Sequence, residues 1–287
     1  MKSIFYDKKY HNIDNCENKV APTNLVKSFV KKIVSKNVRP LNPIITEKLN
    51  FQNFDNNQFI WLGHSFIIFK TNGKIVAVDP ICHDIKIIKK FDYTNQITEA
   101  QIPHIDICLI THDHFDHLDL NTLKQLKINQ IICPLGVSKY LNCLECEVIE
   151  LDWFQSVQCQ QDVKITLIPS KHYSNRGNKF STLWGGFIIN NILISGDGSY
   201  NQQIIEAIKL YLRENNINIQ IAFVECGQYS DDWPDNHMFP DQAVNYFQQL
   251  GGRLMVPVHF GMFSLSTHKW NDVLKIAGKD TLIAKIG

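Results

Sequence analysis

Apolar residues fall into short, β-rich runs in the first half of the chain and alternate with helical spacings in the second. Phe59 to Lys70 reads as one strand, Thr71-Asn72-Gly73-Lys74 as a hairpin turn, and Ile75 to Asp79 as its partner, stopped by Pro80. Ile105 to Ile110 is a mainly apolar, β-branched run and predicts a buried strand. Asp119 to Lys127 predicts a short helix, with Asp119 as its cap. Gln130 to Cys133 is a strand, and a helix is expected after Pro134. Val163 to Ile168 is a strand leading to Pro169-Ser170-Lys171-His172. Trp184 to Ile189 and Ile192 to Ser195 form a hairpin over Asn190-Asn191 and lead to Gly196-Asp197-Gly198. Asn201 to Glu214 is a helix, Ile219 to Glu225 a strand, and Asp241 to Leu250 a helix stopped by Gly251-Gly252. Arg253 to Val258 is a strand leading to His259, Lys269 to Ala277 a helix, and Thr281 to Lys285 a last short strand. Two sheets with helices outside fit this alternation.

Residues 1–55 are polar and rich in Asn and Lys, and read as an N-terminal extension before a catalytic domain over 56–287. Within it, Leu25, Val26, Phe29, Val30, Ile33 and Val34 repeat at helical spacing between Thr23 and Lys36, with four lysines on the remaining face. That pattern predicts an amphipathic helix, either packed on its own domain or touching an anionic membrane surface. The chain is 44% hydrophobic and 20% charged, as soluble globular proteins are, and its net charge of +1 gives no reason to expect nucleic acid as a partner. No apolar stretch reaches the ~18 residues of a spanning helix, and the first residues lack the apolar centre of a signal peptide. The expected location is therefore cytoplasmic, with membrane association if 23–36 meets a bilayer, and the eight cysteines are expected as thiols. Cys143 and Cys146 form a C-x-x-C without the second pair that a structural zinc site wants.

The densest chemistry is Thr111-His112-Asp113-His114-Phe115-Asp116-His117-Leu118-Asp119, directly after an apolar strand. In extended chain, side chains two apart share a face, so His112, His114 and Asp116 align, and His117 joins them only if the chain turns there. Imidazole and carboxylate are ligands for zinc and similar cations, and four such donors exceed one tetrahedral site that also holds water. Three further donors, His172, Asp197 and His259, also sit just past predicted strands, where a rigid sheet can aim several loops at one point. Seven donors fill two sites: His112, His114 and His172 for one metal, Asp116, His117 and His259 for the other, with Asp197 bridging. The expected cofactors are two divalent cations, zinc first and manganese or iron as alternatives.

These residues resemble the metallo-β-lactamase superfamily, on His112-Asp113-His114-Phe115-Asp116-His117, His172, Gly196-Asp197 and His259, over roughly residues 58–287. The resemblance implies an α/β (α+β) fold, a four-layer αβ/βα sandwich with a dinuclear metal site at one edge. Trp61-Leu62-Gly63-His64-Ser65, Val78-Asp79-Pro80, Leu183-Trp184-Gly185-Gly186-Phe187, His237-Met238-Phe239-Pro240 and Val258-His259-Phe260-Gly261-Met262-Phe263 are similar to the N-acyl-phosphatidylethanolamine-hydrolysing phospholipase D group. Gly198-Ser199-Tyr200 departs from that group's commoner Thr-Gly-Tyr continuation and leaves the ligand intact.

A water bridging two divalent cations loses its proton near neutral pH, and hydroxide is then the nucleophile. The expected catalytic residues are Asp116, within the metal site, and His237, which follows a polar loop and could bind an oxyanion or protonate a leaving group. His64 is expected to be structural or to lie behind the ligands, and Asp79 could orient a ligand histidine. The leading expectation is a metal-dependent phosphodiesterase acting on a small-molecule or lipid substrate. A lactonase or other carbon-ester hydrolase, like the ascorbate-phosphate lactonase group, is the alternative. Neutral charge counts against a nuclease.

Overall fold

The computed structural model describes residues 2–14, 38–159, 162–276, 278 and 280–287. The amphipathic helix expected between Thr23 and Lys36 lies outside them. Two six-stranded sheets form the body. The first runs β3 (Phe59–Trp61), β4 (Ile67–Thr71), β5 (Lys74–Val78), β6 (Ile105–Leu109), β7 (Ile128–Pro134) and β8 (Glu147–Leu151). The second runs β14 (Leu254–Val258), β13 (Ile221–Glu225), β12 (Ile192–Ile194), β11 (Gly186–Ile189), β10 (Val163–Ile168) and β9 (Ser156–Cys159). Each sheet is antiparallel at its earlier strands and parallel at its later ones. A separate hairpin, β1 (Ile4–Tyr6) and β2 (Lys9–His11), opens the chain. The helices are α1 (Leu120–Gln125), α2 (Gln202–Glu214) and α3 (Pro240–Gln249). Ile204, Ile205, Ile208 and Leu212 bury one side of α2. Parallel β12, β13 and β14 require crossovers, and α2 and α3 supply them. The architecture is the αβ/βα sandwich expected.

The inner faces meet on aromatic rings. Phe223 of β13 packs edge-on against Phe59 of β3 at 5.0 Å and beside Phe69 of β4 at 6.3 Å. Trp153 and Trp184 pack at 6.1 Å; their indole N–H groups donate to Trp184 O and Ser170 O, so neither buried ring leaves a polar atom unpaired.

Four expectations need correction. Phe59 to Lys70 is two strands, because the chain reverses at Gly63 (φ 96°) and His64 (φ 52°), where Leu62 N–H donates to Phe66 O. The break between them is only Gly63-His64-Ser65, short and buried between apolar strands, so it is easily read as part of one run. After Pro134 there is only a 3₁₀ turn, Ser138–Tyr140, and Lys269 to Ala277 yields another, Asp272–Ile276. The last predicted strand is reduced to single bridges, Thr281 to Met255 and Ile286 to Trp61. Conversely, β1, β2, β8 and β9 leave little pattern, being short and partly polar; β8 and β9 lie at sheet edges.

Phe223→Ala removes the ring on which the sheets meet and should cost about 3–5 kcal/mol. Urea unfolding with linear extrapolation measures it; a loss under about 1 kcal/mol would mean that the sheets do not depend on this contact.

Candidate metal centre

Six strand ends open onto one edge: β5 at Asp79, β6 at Thr111 to His117, β10 at His172, β12 at Asp197, β13 at Glu225 and β14 at His259. The motif turns as its phase demands. His117 and Leu118 N–H both donate to His114 O, and Asp119 caps α1 by accepting from Asn121 N–H at 3.0 Å. The turn divides the donors. His112, His114 and His172 gather on one side, with His172 Nε2 3.3 Å from His114 Nδ1. Asp116, His117 and His259 gather with His64 on the other. Asp197 Oδ2 stands between them, 3.1 Å from both His117 Nε2 and His259 Nε2, 3.9 Å from His112 Nε2 and 4.0 Å from His172 Nε2.

The imidazoles are aimed by what holds their other nitrogen. His117 Nδ1–H donates to Asp79 Oδ2 at 2.8 Å, and Thr111 Oγ1–H donates to the same oxygen at 2.7 Å. Thr111 Oγ1 in turn accepts from His112 Nδ1 at 3.0 Å. His172 Nδ1–H donates to Asn236 O and His259 Nδ1–H to Gly227 O. Four Nε2 atoms therefore face the centre, the arrangement outer partners impose on metal-binding histidines. Asp197 reaches it through a glycine need: Gly196 has φ 62°, and a Cβ there would collide with Gly185 O. Gly185 N–H also donates to Thr111 O, tying this hairpin to the histidine motif. His64, Asp79 and His259 all have positive φ, a strain of about 1–3 kcal/mol each that functional sites tolerate.

The electrostatics ask for positive charge. Burial holds His112, His114 and His172 below the usual imidazole range, and pushes His64 down to about 3 with help from His259. Burial works against protonated His117 and His259 too, but Asp197, followed by Asp116, outweighs it; His117 rises well above its ordinary value and His259 to about 10. Burial would raise Asp116 and Asp197, yet His117 and its neighbours hold both well below the carboxylate range. Two buried carboxylates thus remain charged among imidazoles mostly forced neutral. His112 Nε2 and Asp197 Oδ1 are buried without a hydrogen-bond partner. A cluster with that deficit of cations and those orphaned lone pairs fits divalent metal.

His237 is at the rim. Its Nδ1 lies 3.9 Å from Asp197 Oδ2 and 3.6 Å from Glu225 Oε2, and its side chain, like that of Asp116, stays 14% exposed on the open side. His64 Nε2–H donates to Asp116 Oδ2 at 3.0 Å, and its ring lies 4.2 Å from that of His259. Glu225 is not among the expected residues: it lies buried behind His237 and His259 with Oε1 accepting from Met238 N–H, and its sequence signal is a carboxylate ending an apolar strand. His83, His104 and His268 bind elsewhere, to Asp119, Asn129 and Gln228. The seven described cysteines are free thiols, Cys143 exposed and Cys146 half-buried.

The family model of the β-lactamase superfamily domain matches residues 76–260, a span that holds every donor above except His64. The chain belongs to the metallo-β-lactamase superfamily. It is a metal-dependent hydrolase of that superfamily. It is 31% identical over 228 residues to the mitochondrial N-acyl-phosphatidylethanolamine-hydrolyzing phospholipase D of Saccharomyces cerevisiae, covering 72% of this chain and 48% of the yeast protein. It is 28% identical to an uncharacterized protein of Mycobacterium tuberculosis, covering 82% and 67%. Among solved structures, a metallo hydrolase from the hyperthermophilic archaeon Ignicoccus hospitalis superposes with a TM-score of 0.59 at 17% identity, covering 80% of this chain and 95% of the other. No helix of the described residues is long and apolar enough to cross a membrane.

Asp79→Ala should weaken metal binding by about 10- to 100-fold through loss of His117 orientation. Competition against a chromophoric chelator measures it, and wild-type affinity would mean that His117 needs no carboxylate behind it.

Proposed function

We propose that the chain is a dinuclear metal-dependent phosphodiesterase of the N-acyl-phosphatidylethanolamine phospholipase D-like type, its catalytic domain spanning 56–287. The observation that carries the reading is the position of Asp197 Oδ2 between two imidazole clusters, where one carboxylate can serve two cations. In this reading His112, His114 and His172 hold one ion, Asp116, His117 and His259 the other, and Asp197 both. Zinc suits the nitrogen-rich set, as manganese or iron would. When bound, two such ions supply an activated water near neutral pH and neutralise charge developing on the attacked centre.

The protein's own groups do the rest. Asp79, Thr111, Asn236 and Gly227 fix the tautomers, so each ligand lone pair is aimed before substrate arrives. Asp116 and His237 border the open side, where substrate must enter. Phosphodiester hydrolysis places extra negative charge on non-bridging oxygens, and His237 stands where a donor could meet it or protonate the leaving alcohol. The kinship with an enzyme named for phospholipid hydrolysis also supports a lipid or small-molecule phosphodiester. The basic amphipathic segment 23–36 would then bring the enzyme to the membrane surface that holds such a substrate.

Two measurements test this. Elemental analysis at pH 7 should find about two metals per chain, released as acid protonates imidazoles whose unperturbed pKa is about 6.5. Less than one metal after reconstitution with zinc, manganese and iron, or metal retained against a chelator at about pH 4, would reject the dinuclear assignment. His237→Ala should lower kcat/KM for an N-acylated phosphatidylethanolamine or an aryl phosphodiester on the order of 10²-fold with unchanged metal content. A preference for lactones, with His237→Ala neutral on both substrates, would favour the lactonase alternative.

A further inference from the structure

The start of the chain, which precedes the residues matched by the superfamily, reaches the metal centre. Asn12 is 2% exposed and grips the backbone of His172 at both ends: His172 N–H donates to Asn12 Oδ1 at 3.2 Å, and Asn12 Nδ2–H donates to His172 O at 3.1 Å. Two residues on, Asp14 receives Lys171 Nζ at 3.2 Å and Asn201 Nδ2 at 3.0 Å. Asn201 is the cap of α2, so Asp14 joins the His172 loop to the helix that follows Asp197. The hairpin that delivers these residues is itself docked, because Tyr10 N–H donates to Phe180 O. The His172 loop is also held by Ser199 N–H donating to Lys171 O, by Trp184 Nε1–H donating to Ser170 O, by Lys171 Nζ 3.6 Å from Asp235 Oδ1 and by the bond from His172 Nδ1 to Asn236 O.

We propose that Asn12 is a positioning residue for the metal centre, and that residues 4–14 act as a strap that fixes the His172 loop. A side-chain amide matched to both backbone groups of one residue restrains its translation and rotation together, which a packing contact does not. His172 is one of three imidazoles in the cluster with His112 and His114, whereas His117 and His259 have no bond to the strap among the described residues. Loss of Asn12 therefore acts on one of the two metals. The inference rests on the dinuclear reading above.

The test is titration of the metal-free full chain with cobalt(II), followed by its visible ligand-field absorption, for wild type, Asn12→Ala, Asp14→Asn and Leu41→Ala. In Asn12→Ala one cobalt should bind about 10- to 100-fold more weakly with an altered spectrum, while the other keeps its wild-type affinity. Asp14→Asn, at a partly exposed position, should weaken the same ion by a smaller factor. Leu41→Ala, which trims an exposed side chain outside the strap, should leave both unchanged. Wild-type binding of both ions by Asn12→Ala and Asp14→Asn overturns the strap alone. Equal weakening of both ions assigns Asn12 to general stability and overturns its positioning role. A wild-type chain that takes up fewer than two cobalt ions overturns the dinuclear reading, and the strap with it.

Discussion

The structure depends on carboxylate charge buried among imidazoles where two sheets meet. Asp197 is almost wholly inaccessible, yet among the described residues its side chain has no lysine or arginine beside it, only histidines. An ion in that setting loses its hydration and must recover the energy from neighbours. Without metal the compensation falls to His117 and His259, which the carboxylates drive toward protonation. A divalent cation satisfies the same demand with more charge and uses the lone pairs that protons would otherwise occupy.

That demand explains the distribution of rigidity. Every donor follows a strand, and the strands belong to sheets whose inner faces are closed by aromatic packing around Phe223 and by the paired indoles of Trp153 and Trp184. Three of the residues with positive φ stand at the same edge: His64, Asp79 and His259 adopt backbone that non-glycine residues rarely take. Reciprocal bonds hold two of them, since His64 N–H donates to Phe260 O and His259 N–H to His64 O. The surrounding ladders keep these three backbones from relaxing.

Ligand geometry of this kind is shared across a superfamily with many substrates, so the choice of reaction lies in the groups that are not ligands. Here those are His237, the buried Glu225 behind it, and the open side between Asp116 and His237. Glu225 touches both His237 and His259 at 3.6 Å, which couples the rim residue to one of the metal-facing imidazoles.

Much of this was legible without a structure. The histidine motif after a β-branched strand, the glycines around Asp197, the Asn72-Gly73 turn and the helix capped by Asn201 are local features, set by side-chain chemistry and backbone preference over a few residues. The sequence alone therefore determined the donor types, most strands and the two-sheet class. It did not reveal that the run from Phe59 folds back on itself, because the break Gly63-His64-Ser65 is only three residues long and β3 before it too short to show a period of its own. Nor could it join Asn12 to His172, 160 residues away, or His64 to Asp116, 52 residues away. Such contacts arise from the order in which strands enter the sheets, and that order leaves no periodic trace in either partner. Only the tertiary structure decided them, and with them the reach of the N-terminal hairpin, the place of Glu225 and the approach of His64 to Asp116.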